Sequence, residues 1–172
     1  MKKCKLCSLL LAPISLLAPA LISKPLELGS QVPDISALND RGETVQLNKA
    51  FAEGFCLIYF YPRSFTGGCT AQACSLRDAW AELSDMGAVI LGVSPDSVET
   101  QSAFRAKYKL PFELLADTDN NVGEAFGSPP FSRQAFLFKD GLLIWRDLRA
   151  STRTQAEDVL KAIQALGDTN IN

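Results

Sequence analysis

From Phe55 to Tyr61 the chain is unbroken apolar and aromatic (Phe55-Cys56-Leu57-Ile58-Tyr59-Phe60-Tyr61), and Pro62 stops it. A run of that length with no polar alternation predicts a central strand buried on both faces. Ala88 to Val93 predicts a second buried strand, and Phe112 to Leu115 a third. Between the first two the apolar spacing changes. Ala73, Leu76, Trp80 and Leu83 recur every three or four residues, the stripe of one helix running from about Cys69 to Met86. Asp96-Ser97-Val98-Glu99 has the form of a capping box, opening a helix that ends near Lys109, before Pro111. Asn121 to Phe126 predicts a short helical turn ended by Gly127.

The flanks are simpler. Ile35 to Leu38 and Thr44 to Leu47 predict a hairpin around Asn39-Asp40-Arg41-Gly42. Gln134 to Phe138 and Leu142 to Trp145 flank Lys139-Asp140-Gly141, a strong hairpin signal. Ala156, Val159, Leu160, Ile163 and Leu166 mark an amphipathic C-terminal helix. Leu21 to Val32, punctuated by Pro25 and Gly29, reads as an extended linker. Strands alternating with helices and closing on an antiparallel hairpin imply an α/β fold with a central mixed β-sheet flanked by helices, and a thioredoxin-like fold fits that order. At 172 residues, 47% hydrophobic and 21% charged, the chain is long enough for one domain with a substantial core.

The first residues break the pattern. Lys2, Lys3 and Lys5 precede an uncharged stretch from Leu6 to Ile22, and Ala18-Pro19-Ala20 offers a small-x-small cleavage site. This is the layout of a signal peptide over residues 1–20, with residues 21–172 as the mature domain. Export to a periplasm or thylakoid lumen is expected. The alternative is an uncleaved membrane anchor, although Pro13 and Pro19 interrupt the run. Loss of the three leader lysines takes the net charge from −2 to −5. No basic block remains, so neither nucleic acid nor a stable membrane association after cleavage is expected.

The candidate chemistry rests on cysteine. Cys56, Cys69 and Cys74 remain after the leader, too few for a disulfide scaffold. The chain has no histidine, which excludes Ser-His and Cys-His nucleophile pairs and histidine-ligated metal sites. A thiol activated without histidine must rely on a helix N-terminus or an arginine. Cys69 meets the first condition. It lies between a buried strand and a helix, in the helix's first turn, where unpaired N–H groups and the helix dipole favour a thiolate. Gly67 and Gly68 let the backbone come close to a small substrate. Cys56, inside a core strand, is expected to be inert.

The stretch Tyr61-Pro62-Arg63-Ser64-Phe65-Thr66-Gly67-Gly68-Cys69-Thr70-Ala71-Gln72-Ala73-Cys74 resembles the active-site segment of the peroxiredoxins. Their Pro-x-x-x-Thr-x-x-Cys pattern is matched by Pro62, Thr66 and Cys69, and a second cysteine at Cys74 is the mark of the Q, or bacterioferritin-comigratory, type. Leu91 to Glu99, Leu110 to Asp117 and Arg133 to Leu137 also resemble Q-type segments, so the likeness spans roughly residues 28–166.

The resemblance implies a thiol peroxidase that reduces hydrogen peroxide and organic hydroperoxides without cofactor or metal. Cys69 would be the peroxidatic cysteine, oxidised to a sulfenic acid. Cys74 would resolve it as a Cys69–Cys74 disulfide, and thioredoxin or another dithiol would reset the enzyme. Thr66 and the Cys69 N–H would donate to the departing oxygen, Arg133 would stabilise thiolate and oxyanion, and Pro62 would shield the thiolate. Relatives of this type are often monomers, and a monomer is expected. Two residues depart from the family pattern: Gly67 stands where proline is usual, and Phe65 where an acidic or polar residue is. Gly68 and Phe65 are the expected substrate contacts, the aromatic ring favouring a bulky organic hydroperoxide.

Rival readings want other residues. A thioredoxin-like thiol–disulfide oxidoreductase without peroxidase activity would want Cys-x-x-Cys. A copper-delivery protein of similar fold would want Cys-x-x-x-Cys and a histidine. Neither motif is present in residues 21–172; the leader's Cys4-Lys5-Leu6-Cys7 has Cys-x-x-Cys spacing but lies before the predicted cleavage site. A binding module with a structural disulfide is the third alternative, and peroxide consumption separates all three.

Overall fold

The computed structural model describes residues 24–169. The leader, its cleavage site, Cys4 and Cys7 lie outside the described residues. The elements run β1 (Ser36–Asn39), β2 (Thr44–Gln46), α1 (Leu47–Ala50), β3 (Phe55–Phe60), α2 (Gly67–Asp78), α3 (Trp80–Asp85), β4 (Val89–Ser94), α4 (Val98–Tyr108), β5 (Glu113–Ala116), α5 (Asn121–Phe126), β6 (Gln134–Lys139), β7 (Leu142–Asp147) and α6 (Gln155–Thr169).

The strands form one seven-stranded mixed sheet in the order β2-β1-β5-β4-β3-β6-β7. Its centre is parallel, with Ile58 opposite Leu91 and Val93 opposite Leu115. Antiparallel strands close both sides: β6 pairs with β3 through Ile58 and Phe136, and β1 pairs with β5. The predicted fold class is observed.

β3 is apolar throughout because it has no solvent face. Leu57 and Tyr59 enter one core with Cys69, Ala73 and Leu76 of α2, Leu83, Phe104, and Val159 of α6. Cys56, Ile58 and Phe60 enter the other with Leu47, Phe51, Phe126, Phe136 and Phe138. Each fully buried aliphatic or aromatic side chain contributes about 1.5–3 kcal/mol, so the strand is anchored from both sides. Gly92 of β4 is required by this packing: a Cβ there would fall 2.7 Å from the Tyr59 hydroxyl and from Leu114.

Four boundaries differ from the sequence expectation. Leu47 does not extend a strand but opens α1, because its side chain turns fully into the core beside Phe51. The helix predicted from Cys69 to Met86 begins two residues earlier, at Gly67, and is broken in two at Ala79. Ala79 takes φ −92° and ψ 5°, and its N–H is shared between the Ser75 and Arg77 carbonyls. The helical run is interrupted there, and Trp80 lies against Phe112, 6.0 Å between ring centroids. At α4 the cap is Ser97, whose hydroxyl accepts the Thr100 N–H, while Asp96 is committed elsewhere. The segment expected as a linker is docked along β7: Gly29 N–H donates to the Leu143 carbonyl and Val32 N–H to that of Gly141.

Candidate active site

The site lies where the central strands end. β3 leads through Tyr61 to Thr66 into α2, at the carboxyl edge of the parallel strands, the usual place for ligand sites in α/β sheets. The connecting loop is tied down by a buried polar network. Tyr61 donates its hydroxyl hydrogen to the Gln101 side-chain carbonyl, and Gln101 donates to Ser94 Oγ (2.9 Å) and to the Leu115 carbonyl (2.8 Å). Asp96 accepts from the Ser64 N–H (2.6 Å) and the Ser94 hydroxyl (2.7 Å). With Ser64 held, the chain reverses at Phe65, whose φ of 63° lies in the left-handed region that a bulky residue rarely adopts. The turn delivers Thr66 as the N-cap of α2.

Cys69 is therefore the third residue of α2, in its first turn, and it is 1% exposed. Arg133, just before β6 and half-buried, donates from Nη2 to Cys69 Sγ at 3.4 Å. Gly68 makes that approach possible. A Cβ on it would sit 3.3 Å from Arg133 Nη2 and 3.4 Å from Thr152 Cγ2, so a side chain would press the guanidinium off the thiol. Here a glycine serves close approach rather than an unusual backbone angle.

The other predicted residues are placed as follows. The Thr66 hydroxyl donates to the Arg63 carbonyl at 3.1 Å, and its own carbonyl accepts the Thr70 N–H. Its proton is thus engaged locally, and donation toward a substrate requires that bond to exchange. Pro62 is half-buried at the strand's end. Phe65 turns to α4, edge-on to Phe104 at 5.2 Å, with Lys107 Nζ 5.5 Å from its ring centroid. With Arg63, Ser64, Thr66, Asp96 and Thr100 it lines an open depression beside the loop, and Cys69 is not among the lining residues. Cys74 is half-buried further along α2, and Cys56, Cys69 and Cys74 are all free thiols. Burial pushes the Cys56 thiol up to about 11, with its Sγ donating to the Ala50 carbonyl. The structure thus brings Cys69, Gly68 and Arg133 together, sets Cys74 on the same helix, and turns Phe65 outward.

Two residues of this site carry no signal in the sequence pattern. Gln72 is fully buried; its carbonyl oxygen accepts from Arg133 Nη1 and its amide nitrogen donates to the side-chain oxygen of Gln155. Gln72 stands 61 residues from Arg133 and 83 from Gln155. Only the fold joins them, and a glutamine on a helix reads locally as a surface residue.

Residues 28–145 match the model of the AhpC/TSA family. The chain is 36% identical over 157 residues to a peroxiredoxin Bcp of Bacillus subtilis, covering 83% of this chain and 96% of that one. It is 35% identical over 147 residues to a chloroplastic peroxiredoxin Q of Sedum lineare, covering 80% and 78%. Among solved structures, the bacterioferritin comigratory protein of Xanthomonas campestris, studied for alkyl peroxide reduction, superposes with a TM-score of 0.73 at 30% identity, covering 81% and 96%. A cysteine in the first turn of a helix with an arginine on its sulfur, in a chain with these relatives, leads to one conclusion: the chain belongs to the AhpC/TSA family and is a peroxiredoxin, a peroxidase enzyme, of the Bcp/Q type.

Proposed function

We propose that Cys69 reduces hydrogen peroxide and organic hydroperoxides and that Cys74 resolves the product. The observation that carries this reading is the Arg133 guanidinium on Cys69 Sγ at 3.4 Å in a site with no histidine. A permanent cation beside the sulfur is a fixed counter-charge for the attacking sulfur and the departing oxygen. The thiolate attacks one peroxide oxygen, the O–O bond breaks, and the other oxygen leaves as hydroxide or alkoxide and takes a proton. Arg133 and the Cys69 N–H are the donors for that oxygen, joined by Thr66 once its hydroxyl leaves the Arg63 carbonyl. Cys69 is left as a sulfenic acid. Cys74 sulfur then attacks Cys69 sulfur, water departs, and the Cys69–Cys74 disulfide is reduced by thioredoxin or another dithiol. Pro62 shields the thiolate from water, and Gly68 leaves room for the peroxide. Phe65 lines the depression beside the loop rather than the space over Cys69, so it would meet only the far end of a bulky organic hydroperoxide; the alkyl peroxide activity studied in the Xanthomonas campestris protein supports that substrate class.

The enzyme acts as a monomer, exported to a periplasm or thylakoid lumen after cleavage of residues 1–20. A coupled peroxidase assay of the mature protein, with hydrogen peroxide and an organic hydroperoxide against a panel of dithiols, tests the chemistry. Turnover should vanish in Cys69→Ser, since a hydroxyl without a base is a poor nucleophile; near-normal turnover in that variant would refute the assignment. Mass spectrometry of the native protein should find a start near Leu21, and a product beginning at Met1 would remove the export reading.

A further inference from the structure

Arg133 has only donors, so the atom of Gln72 that faces it must be the carbonyl oxygen. The other half of that amide, its NH2 group, then needs an acceptor. Gln72 is fully buried, so bulk solvent does not supply one. Gln155 supplies it: its side-chain oxygen accepts from Gln72 Nε2, and Gln155 itself is 1% exposed. The Gln155 amide nitrogen has no hydrogen-bond partner among the described residues. That side chain is therefore held in the core through its oxygen alone. The surrounding chain points the same way. The Ala150 N–H donates to the Arg133 carbonyl at 3.1 Å, and the Ala156 N–H donates to Ser75 Oγ of α2 at 3.3 Å. Residues 150–156 thus brace both the backbone of Arg133 and the helix that carries Gln72.

We propose that Gln155, at the start of α6, is a positioning residue for the peroxide step, acting through the Gln72 amide on the Arg133 guanidinium. With the Gln155 acceptor present, only one orientation of the Gln72 amide satisfies both of its ends. Without it, the buried NH2 group is left without an acceptor and the Gln72 side chain loses its anchor on the side away from Arg133, so it gains by moving to a rotamer that reaches another acceptor and withdraws its carbonyl from Arg133. The guanidinium then leaves its place over Cys69, and the departing oxygen loses a fixed donor. Gln155 touches neither substrate nor sulfur.

The proposal rests on Cys69 as the peroxidatic cysteine, and the experiment separates the two. Pre-steady-state oxidation of Cys69 by hydrogen peroxide is measured beside its alkylation by iodoacetamide, a reaction that makes no oxyanion. Wild-type protein oxidised no faster than Cys69→Ser sinks the underlying reading rather than this one. Given a competent wild type, Gln155→Leu should slow oxidation by roughly 10- to 100-fold, the scale of a misplaced catalytic group, and slow alkylation by less. Gln155→Glu keeps an acceptor oxygen and should recover most of the rate. In a Gln72→Leu background, Gln155→Leu should cost nothing further. A urea midpoint on each variant reports folding. Oxidation within about threefold of wild type in a folded Gln155→Leu protein overturns the proposal. So does an equal loss in the Gln72→Leu background, since Gln155 would then act by another route. If Gln155→Leu fails to fold, Gln155→Glu against Gln155→Met, which fills the space without an acceptor, decides the same question.

Discussion

Formation of a Cys69–Cys74 disulfide should unwind the first turns of α2. Both cysteines lie within the helix Gly67–Asp78. Five residues of α-helix give a rise of roughly 7.5 Å and a net turn of roughly 140°, which puts the two Cα atoms about 8.6 Å apart on different sides of the axis. A disulfide requires about 7 Å or less, with side chains pointing together. The bond therefore cannot close on an intact helix. Opening begins with the loss of the Thr70 N–H bond to the Thr66 carbonyl (2.9 Å). It exposes Cys69 and Ala73, at a cost on the order of 1–2 kcal/mol. Gly67 and Gly68, which lie inside the first turn, already weaken the helix by up to about 0.5–1 kcal/mol each. Hydrogen exchange of reduced and oxidised protein should show faster amide exchange at residues 69–76 after oxidation, with a matching loss of helical circular dichroism. Cys74→Ser should complete a first turnover, form no internal disulfide and overoxidise readily. Identical exchange in both states, with the disulfide confirmed by mass spectrometry, would show the mechanism to be wrong.

Three further outcomes follow from the geometry. Arg133→Ala should slow the peroxide step by about 2–4 kcal/mol, the usual cost of a lost oxyanion donor, and an unchanged rate in stopped flow would take Arg133 out of the chemistry. Cys56, with its thiol at about 11, stays protonated at pH 8, so iodoacetamide should label Cys69 and Cys74 of the folded, reduced protein and spare Cys56; peptide mapping that finds Cys56 labelled as fast as the others contradicts its burial. The Tyr59 hydroxyl is fully buried and unpartnered among the described residues, so Tyr59→Phe should raise the unfolding free energy by about 1 kcal/mol, whereas a lower urea midpoint would mean that the hydroxyl holds a bond in solution.

What the sequence discloses is what local chemistry dictates. The β3 run has no polar residue because neither face meets water, so its central place could be read from composition alone. The Asp140-Gly141 turn is likewise a local device. Cys69 was legible because strand, glycines and helix follow one another in sequence. α1 and the break at Ala79 were not, since Leu47 and Trp80 obey core positions set by distant strands. The Gln72–Gln155 pair and the Tyr61–Gln101 link escaped for the same reason. Amide side chains acquire meaning only from partners brought from elsewhere in the chain.

Gln72 sits between the two cysteines on α2, and this gives the proposed cycle a built-in order. The turn that must open to join Cys69 to Cys74 is the turn that carries the support of Arg133. Resolution therefore dismantles the peroxide-binding arrangement as it proceeds, and the two configurations exclude each other like the positions of an escapement. An oxidised molecule cannot hold a second peroxide in a competent geometry, and a reduced one cannot close the bond before its sulfur has been oxidised and the helix has let go. On this reading the reductant does more than return two electrons: by cutting the disulfide it allows α2 to rewind, and the arginine's seat is rebuilt by folding.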